Sequence, residues 1–265
     1  VPFVRAGDLV VHYMLDGAVD APAVLLANSL GTNVHMWDAQ VAALARSHRV
    51  LRYDMRGHGL TDVTAADDPD GVTVERLGAD AVALLDALGI ARVHVIGLSI
   101  GGMVGQRVAA EYPERVAALV ICATGSRIGT AATWNERIET VQRDGIAAIA
   151  DAGMARWFTE RCRAERPELV RGFANMLTRT PVGGYVDGCR AVRDADLRAD
   201  DARIRCRTLI VAGAEDQVTT PAMGAELREA VPNAELVVLA AAAHMLCAEQ
   251  PDATNALLLR FLEGE

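Results

Sequence analysis

Ser99 lies in "GLSIG" (97–101), directly after the apolar run "VHVIG" (93–97). A serine hydroxyl is a weak nucleophile near neutral pH and needs a base within reach, itself oriented by an acid. The G-x-S-x-G spacing is that of a nucleophile elbow, a tight strand-to-helix turn that presents the hydroxyl. Glycines at 97 and 101 fit that reading, because a side chain at either place would collide with crossing backbone. A plain turn with Ser99 capping a helix fits the pentapeptide as well, so the partners decide. In such an elbow the acid and then the histidine should follow the serine, each in a loop after a strand. "LIVAGAEDQVTTP" supplies Asp216 just past Gly213, and "LVVLAAAAHMLCAEQP" supplies His244. Glu215 is the rival acid; the G-x-x-D spacing from Gly213 favours Asp216.

Acyl transfer also requires donors aimed at the developing oxyanion. The backbone N–H of Ile100, next after the nucleophile, is one candidate, and the N–H of Leu30 in "NSLG" is the second. The remaining histidines are weaker candidates for the base. His12, His48 and His94 fall in or beside strand patterns, where packing or surface roles are expected. His35 and His58 lie in loops, with His58 expected to structure the turn "RGHG".

These residues need a scaffold that brings distant loops to one edge. Apolar runs at 23–28, 49–54, 93–97, 116–124, 207–213 and 235–240 alternate with helical patterns such as "VERLGADAVALLDALG". Near-continuous apolar strands are those covered on both faces, so the alternation predicts an α/β, mostly parallel, doubly wound sheet. Between about 127 and 200 the rhythm breaks into helical patterns alone, which predicts a helical cap (127–200) inserted after the sixth strand. The core is then expected to comprise 1–126 and 201–265. A cap placed there would cover the C-terminal strand ends, where open α/β sheets bind ligands. The segment "VPFVRAGDLVVHY" reads as two short strands around a turn, not as a signal peptide.

Composition removes several function classes. A net charge of −9 argues against nucleic acid or an anionic membrane as partner. Hydrophobic residues make up 51% of the chain, yet no uninterrupted run is long enough for a transmembrane helix. All 26 basic residues are Arg, which excludes Schiff-base chemistry, lysine-anchored pyridoxal phosphate and a P-loop. Five scattered cysteines, with no C-x-x-C and no H-E-x-x-H, fit buried thiols in a reducing cytoplasm. No metal and no organic cofactor is expected. Oligomeric state is not encoded in any recognisable pattern.

The chain resembles the α/β-hydrolase superfamily over essentially its whole length. Within it the chain is most similar to the 3-oxoadipate enol-lactonase group, on "NSLGTNVHMWDAQ", "RYDMRGHGLTD", "GLSIGGMVGQ", "WFTERC", "TPVGGYVDGCRAVRDADLR" and "AAAHMLCAEQP". Asn28-Ser29 replaces the superfamily's common H-G start of the oxyanion loop, a departure shared with that group. The resemblance implies hydrolysis of a small anionic lactone, 3-oxoadipate enol-lactone, in aromatic catabolism through Ser99, His244 and Asp216. Other esterases, haloperoxidase-like relatives and carbon–carbon hydrolases share the elbow, and a non-catalytic ligand sensor of this fold is the reading of a different class. The lactone's carboxylate needs a partner in a dry pocket. Trp134 in "ATWNERI", early in the cap, offers an apolar wall and one N–H donor and is the first candidate; anchoring of the cap helices is its alternative role.

Overall fold

The structure, a computed structural model, describes residues 2–64, 68 and 71–264. Eight strands form one sheet: β1 (Phe3–Ala6), β2 (Leu9–Asp16), β3 (Ala23–Ala27), β4 (Arg49–Tyr53), β5 (Val93–Leu98), β6 (Val116–Cys122), β7 (Arg207–Gly213) and β8 (Ala234–Leu239). Their order is β1-β2-β4-β3-β5-β6-β7-β8. The β1–β2 and β2–β4 pairs are antiparallel and every other pair is parallel. The antiparallel start accounts for the N-terminal segment: Val4 pairs with Val11 across a tight hairpin. The continuous apolar runs become central strands, and in β6 every residue except Ala117 is buried.

The helices are α1 (Asp38–Leu44), α2 (Val74–Ala87), α3 (Ile100–Glu111), α4 (Ala131–Asp144), α5 (Ala150–Trp157), α6 (Glu160–Glu165), α7 (Pro167–Thr178), α8 (Val182–Asp194), α9 (Arg198–Asp201), α10 (Pro221–Ala230), α11 (Leu246–Glu249) and α12 (Pro251–Leu262). In α2 the Thr73 hydroxyl caps the first turn by accepting the Arg76 N–H at 3.2 Å. Leu77, Leu84 and Leu85 of the same helix are buried, as their helical spacing requires. Helices α4 to α8 lie between β6 and β7, where the strand rhythm stops. No helix of the described residues is long and apolar enough to cross a membrane.

Topology places the ligand edge. From β3 the chain moves to β4 on one side, then crosses back to β5 on the other side of β3. Loops leaving the C-terminal ends of β3 and β5 therefore diverge and open a crevice, the switch point at which such sheets bind ligands. Asn28–Leu30 and Ser99 stand at those two strand ends.

Candidate active site

Ser99 links β5 to α3 with φ 58° and ψ −119°, a left-handed backbone that a serine rarely adopts. Such a conformation costs about 1–3 kcal/mol and persists only where its surroundings enforce it. A Cβ on Gly97 would sit 2.1 Å from the Gly101 carbonyl oxygen, and one on Gly101 would sit 2.2 Å from that of Ala27. Both glycines are therefore required by the crossing of β5, α3 and β3. The Ser99 N–H donates to the Cys122 carbonyl at 3.0 Å, and the Thr124 hydroxyl donates to the Ser99 carbonyl at 2.8 Å. Backbone bonds on both sides thus hold the elbow while the side chain makes none to the helix it precedes. A capping serine would make one.

Asp216 follows β7 and His244 follows β8, and His244 Nδ1 donates to Asp216 Oδ2 at 2.9 Å. Both side chains are almost fully buried. The other Asp216 oxygen accepts the N–H groups of Val218 at 2.7 Å and Thr219 at 3.1 Å. Thr219 also donates its hydroxyl to Asp216 Oδ2 at 2.7 Å. Burial pushes the Asp216 carboxyl up, but the His244 charge and this set of donors outweigh it and hold the group below its ordinary value. Glu215 is exposed and not bonded to His244. Thr219 is a site residue that sequence reasoning missed; the available signal was the short D-x-x-T turn.

The loop after β3 is fixed by its own side chains. Asn28 donates to the Tyr53 carbonyl at 2.8 Å and accepts the Trp37 indole N–H at 3.0 Å. Those two bonds account for Asn28 in place of histidine. Among the described residues the N–H groups of Leu30 and Ile100 have no protein acceptor, although both residues are buried. Buried N–H groups are nearly always paired, so two free ones beside Ser99 suit a ligand oxygen.

The segment between β6 and β7 and the loop after β8 are joined by Glu249. Its carboxylate accepts the N–H of Ala243, immediately before His244, at 2.8 Å, and the N–H of Thr159 in the cap at 3.1 Å. The Thr159 hydroxyl donates to it as well. Nearby, the Met245 N–H donates to the Trp157 carbonyl at 2.9 Å. Four of the other histidines stand apart from this centre: His12 pairs with Asp54 at 2.7 Å, His35 with Asp38 at 3.0 Å, and the rings of His48 and His94 meet edge-to-face.

The Trp134 donor already has a partner in the protein. Its indole N–H donates to the Ile128 carbonyl at 2.7 Å, and the side chain is buried. The bond ties the first cap helix to the segment leaving β6, so the donor expected for a substrate carboxylate is already engaged. The position was readable in the sequence; the use of its proton was not. No cluster of three or more histidine, cysteine or carboxylate side chains able to hold a metal occurs among the described residues.

The profile of the alpha/beta hydrolase family matches residues 11–257. The chain belongs to the alpha/beta hydrolase family. Among alpha/beta hydrolases it is 38% identical over 251 residues to 3-oxoadipate enol-lactonase 2 of Acinetobacter baylyi, covering 94% of this chain and 92% of that one. The crystal structure of the enol-lactonase from Burkholderia xenovorans LB400 superposes with a TM-score of 0.95 at 37% identity, over 99% of this chain and 100% of that one. A protein of Caulobacter sp. (strain K31) that carries a carbamate-hydrolase name, RutD, is 32% identical over 94% of this chain and 93% of its own length. As a hydrolase scaffold the chain is thus similar to enzymes named for two different bonds.

Proposed function

We propose that the protein hydrolyses 3-oxoadipate enol-lactone to 3-oxoadipate through an acyl-enzyme on Ser99. The buried His244–Asp216 pair, downstream of a serine held in a strained elbow, is the observation that supports the chemistry. Likeness to enol-lactonases along nearly the whole chain supports the substrate.

In this mechanism His244 takes the Ser99 proton as the hydroxyl attacks the lactone carbonyl. The oxyanion forms between the N–H groups of Ile100 and Leu30. Collapse breaks the ring C–O bond and expels an enolate, whose delocalised charge needs less acid assistance than an alkoxide; His244 passes its proton to the departing enolate and is left neutral for the second step. Water, deprotonated by His244, then releases the acyl group and regenerates Ser99. Asp216 keeps the imidazole proton on Nδ1 and stabilises the imidazolium; Thr219 and the Val218 N–H hold Asp216 in place.

Carbamate hydrolysis is the second reading, favoured by the RutD-named relative. The test supplies enol-lactone generated in place and follows the loss of its ultraviolet absorbance, beside release of carbon dioxide from a carbamate. Saturable turnover of the lactone at least a hundredfold more efficient than of the carbamate is expected. The reverse preference would replace this reading with the second.

A further inference from the structure

The turn that carries Leu30 is tied down at its other amides. The Ser29 N–H donates to Met36 Sδ at 3.2 Å, the Gly31 N–H to His58 Nε2 at 3.0 Å, and the Thr32 N–H to the Ser29 carbonyl at 3.2 Å. Among the described residues Leu30 alone in this turn keeps its N–H free. Gly31, at φ 75°, takes the left-handed third position of the turn, which favours glycine. Ser29 and Thr32 are each 1% exposed, so bulk water does not reach these bonds.

One side chain acts on the peptide unit that owns the free N–H. The Ser29 carbonyl and the Leu30 N–H belong to the same unit, and in a trans peptide they point in opposite directions. That carbonyl accepts the Thr32 N–H and, more closely, the Thr32 hydroxyl at 2.7 Å. The hydroxyl also lies 3.0 Å from Met36 Sδ. It has one proton, however, and a thioether is only a weak acceptor beside a carbonyl oxygen. Holding the carbonyl fixes the direction of the N–H before any charge develops. Donation to the carbonyl also polarises the unit, so the hydroxyl strengthens the N–H as a donor through the chain O–H···O=C–N–H.

We infer that Thr32 is a positioning residue for the oxyanion: its hydroxyl orients and polarises the Ser29–Leu30 peptide, whose N–H then meets the reacting carbonyl oxygen. The inference rests on the acyl-enzyme reading of Ser99 and adds a group that acts mainly as negative charge forms. An oxyanion is a stronger acceptor than a neutral carbonyl, so the hydroxyl contributes to turnover more than to substrate binding. Its removal leaves the Thr32 N–H on the Ser29 carbonyl, so that buried acceptor keeps a partner.

The test compares wild type with Thr32→Val, which exchanges the hydroxyl for a methyl group, and Thr32→Ser, which keeps the hydroxyl. Thr32→Ala, a second variant without the hydroxyl, should match the valine variant. The first readout is kcat and KM for 3-oxoadipate enol-lactone. The second is binding of trifluoroacetone followed by fluorine NMR, which needs no turnover. Ser99 Oγ bonds to the ketone carbon, His244 takes the hydroxyl proton, and the ketone oxygen becomes an oxyanion. Thr32→Val should lower kcat about tenfold with KM within about threefold, and weaken the ketone about tenfold, a fraction of the loss for a whole oxyanion donor. Thr32→Ser should stay within about threefold of wild type on both readouts. Equal losses in the valine and serine variants, or a fall in kcat without weaker ketone binding, would overturn the inference. Hydroxyl-dependent ketone binding by a protein that fails to hydrolyse the lactone would retain the role of Thr32 and reject the proposed substrate.

Discussion

The Gly31 N–H donates to His58 Nε2 at 3.0 Å, which joins the "RGHG" turn directly to the oxyanion loop. An amide can only donate, so Nε2 is the acceptor and the ring proton lies on Nδ1, directed at the Arg56 carbonyl at 3.1 Å. Burial lowers the His58 pKa, against the opposing pull of the Arg56 carbonyl and the Asp54 charge, and so favours the neutral ring. His58→Ala removes the acceptor one residue from Leu30. It should lower kcat about tenfold or more, since loss of a whole oxyanion donor costs roughly a hundredfold to a thousandfold. Steady-state kinetics beside a melting curve checks this; an unchanged kcat would detach His58 from the oxyanion loop's function.

The choice of acid is tested by a pair of substitutions. Asp216→Asn offers Nδ1 of His244 an amide and favours the wrong tautomer, with an expected loss of about 10⁴-fold in kcat. Glu215→Gln, on an exposed side chain, should stay within about twofold of wild type, the usual range for a surface change. A larger loss from the Glu215 change would reverse the assignment.

Asp201 gives a stability prediction. The Ser126 hydroxyl donates to one of its oxygens at 2.5 Å, bracing the chain leaving β6 against α9, while the other oxygen is buried without a partner among the described residues. Burial pushes this carboxyl up to about 6, with Asp200 and Asp196 adding to the rise and the Ser126 bond opposing it. Between about pH 4 and pH 6 the folded state then holds more protons than the unfolded chain, so stability falls as pH rises through that window. Asp201→Asn should be more stable than wild type at pH 8, by up to about 3 kcal/mol, and no more stable at pH 4. Urea unfolding at both values measures it. A less stable variant at pH 8 would show that the carboxylate contributes more than its burial costs.

The sheet and the placement of Ser99, Asp216 and His244 were legible because each depends on local pattern. Apolar runs mark the strands, glycines at 97 and 101 mark the elbow, and strand ends mark the two loops. What could not be read depends on contacts between distant segments. The partner of the Trp134 N–H is a carbonyl six residues back, set by how the cap's first helix meets β6. His58 was expected to shape its own turn, and its reach to Gly31 spans 27 residues.

The central claim is that Ser99 carries the acyl group. Its most direct test is turnover of 3-oxoadipate enol-lactone by Ser99→Ala at matched folded concentration, with calorimetric binding of 3-oxoadipate measured on the same sample. Binding close to that of wild type with turnover reduced at least about 10⁴-fold is the predicted result, given losses of roughly a millionfold for nucleophile removal in subtilisin. Retention of more than about one per cent of wild-type turnover by the intact variant would contradict the acyl-enzyme mechanism, since losing the nucleophile alone should remove far more.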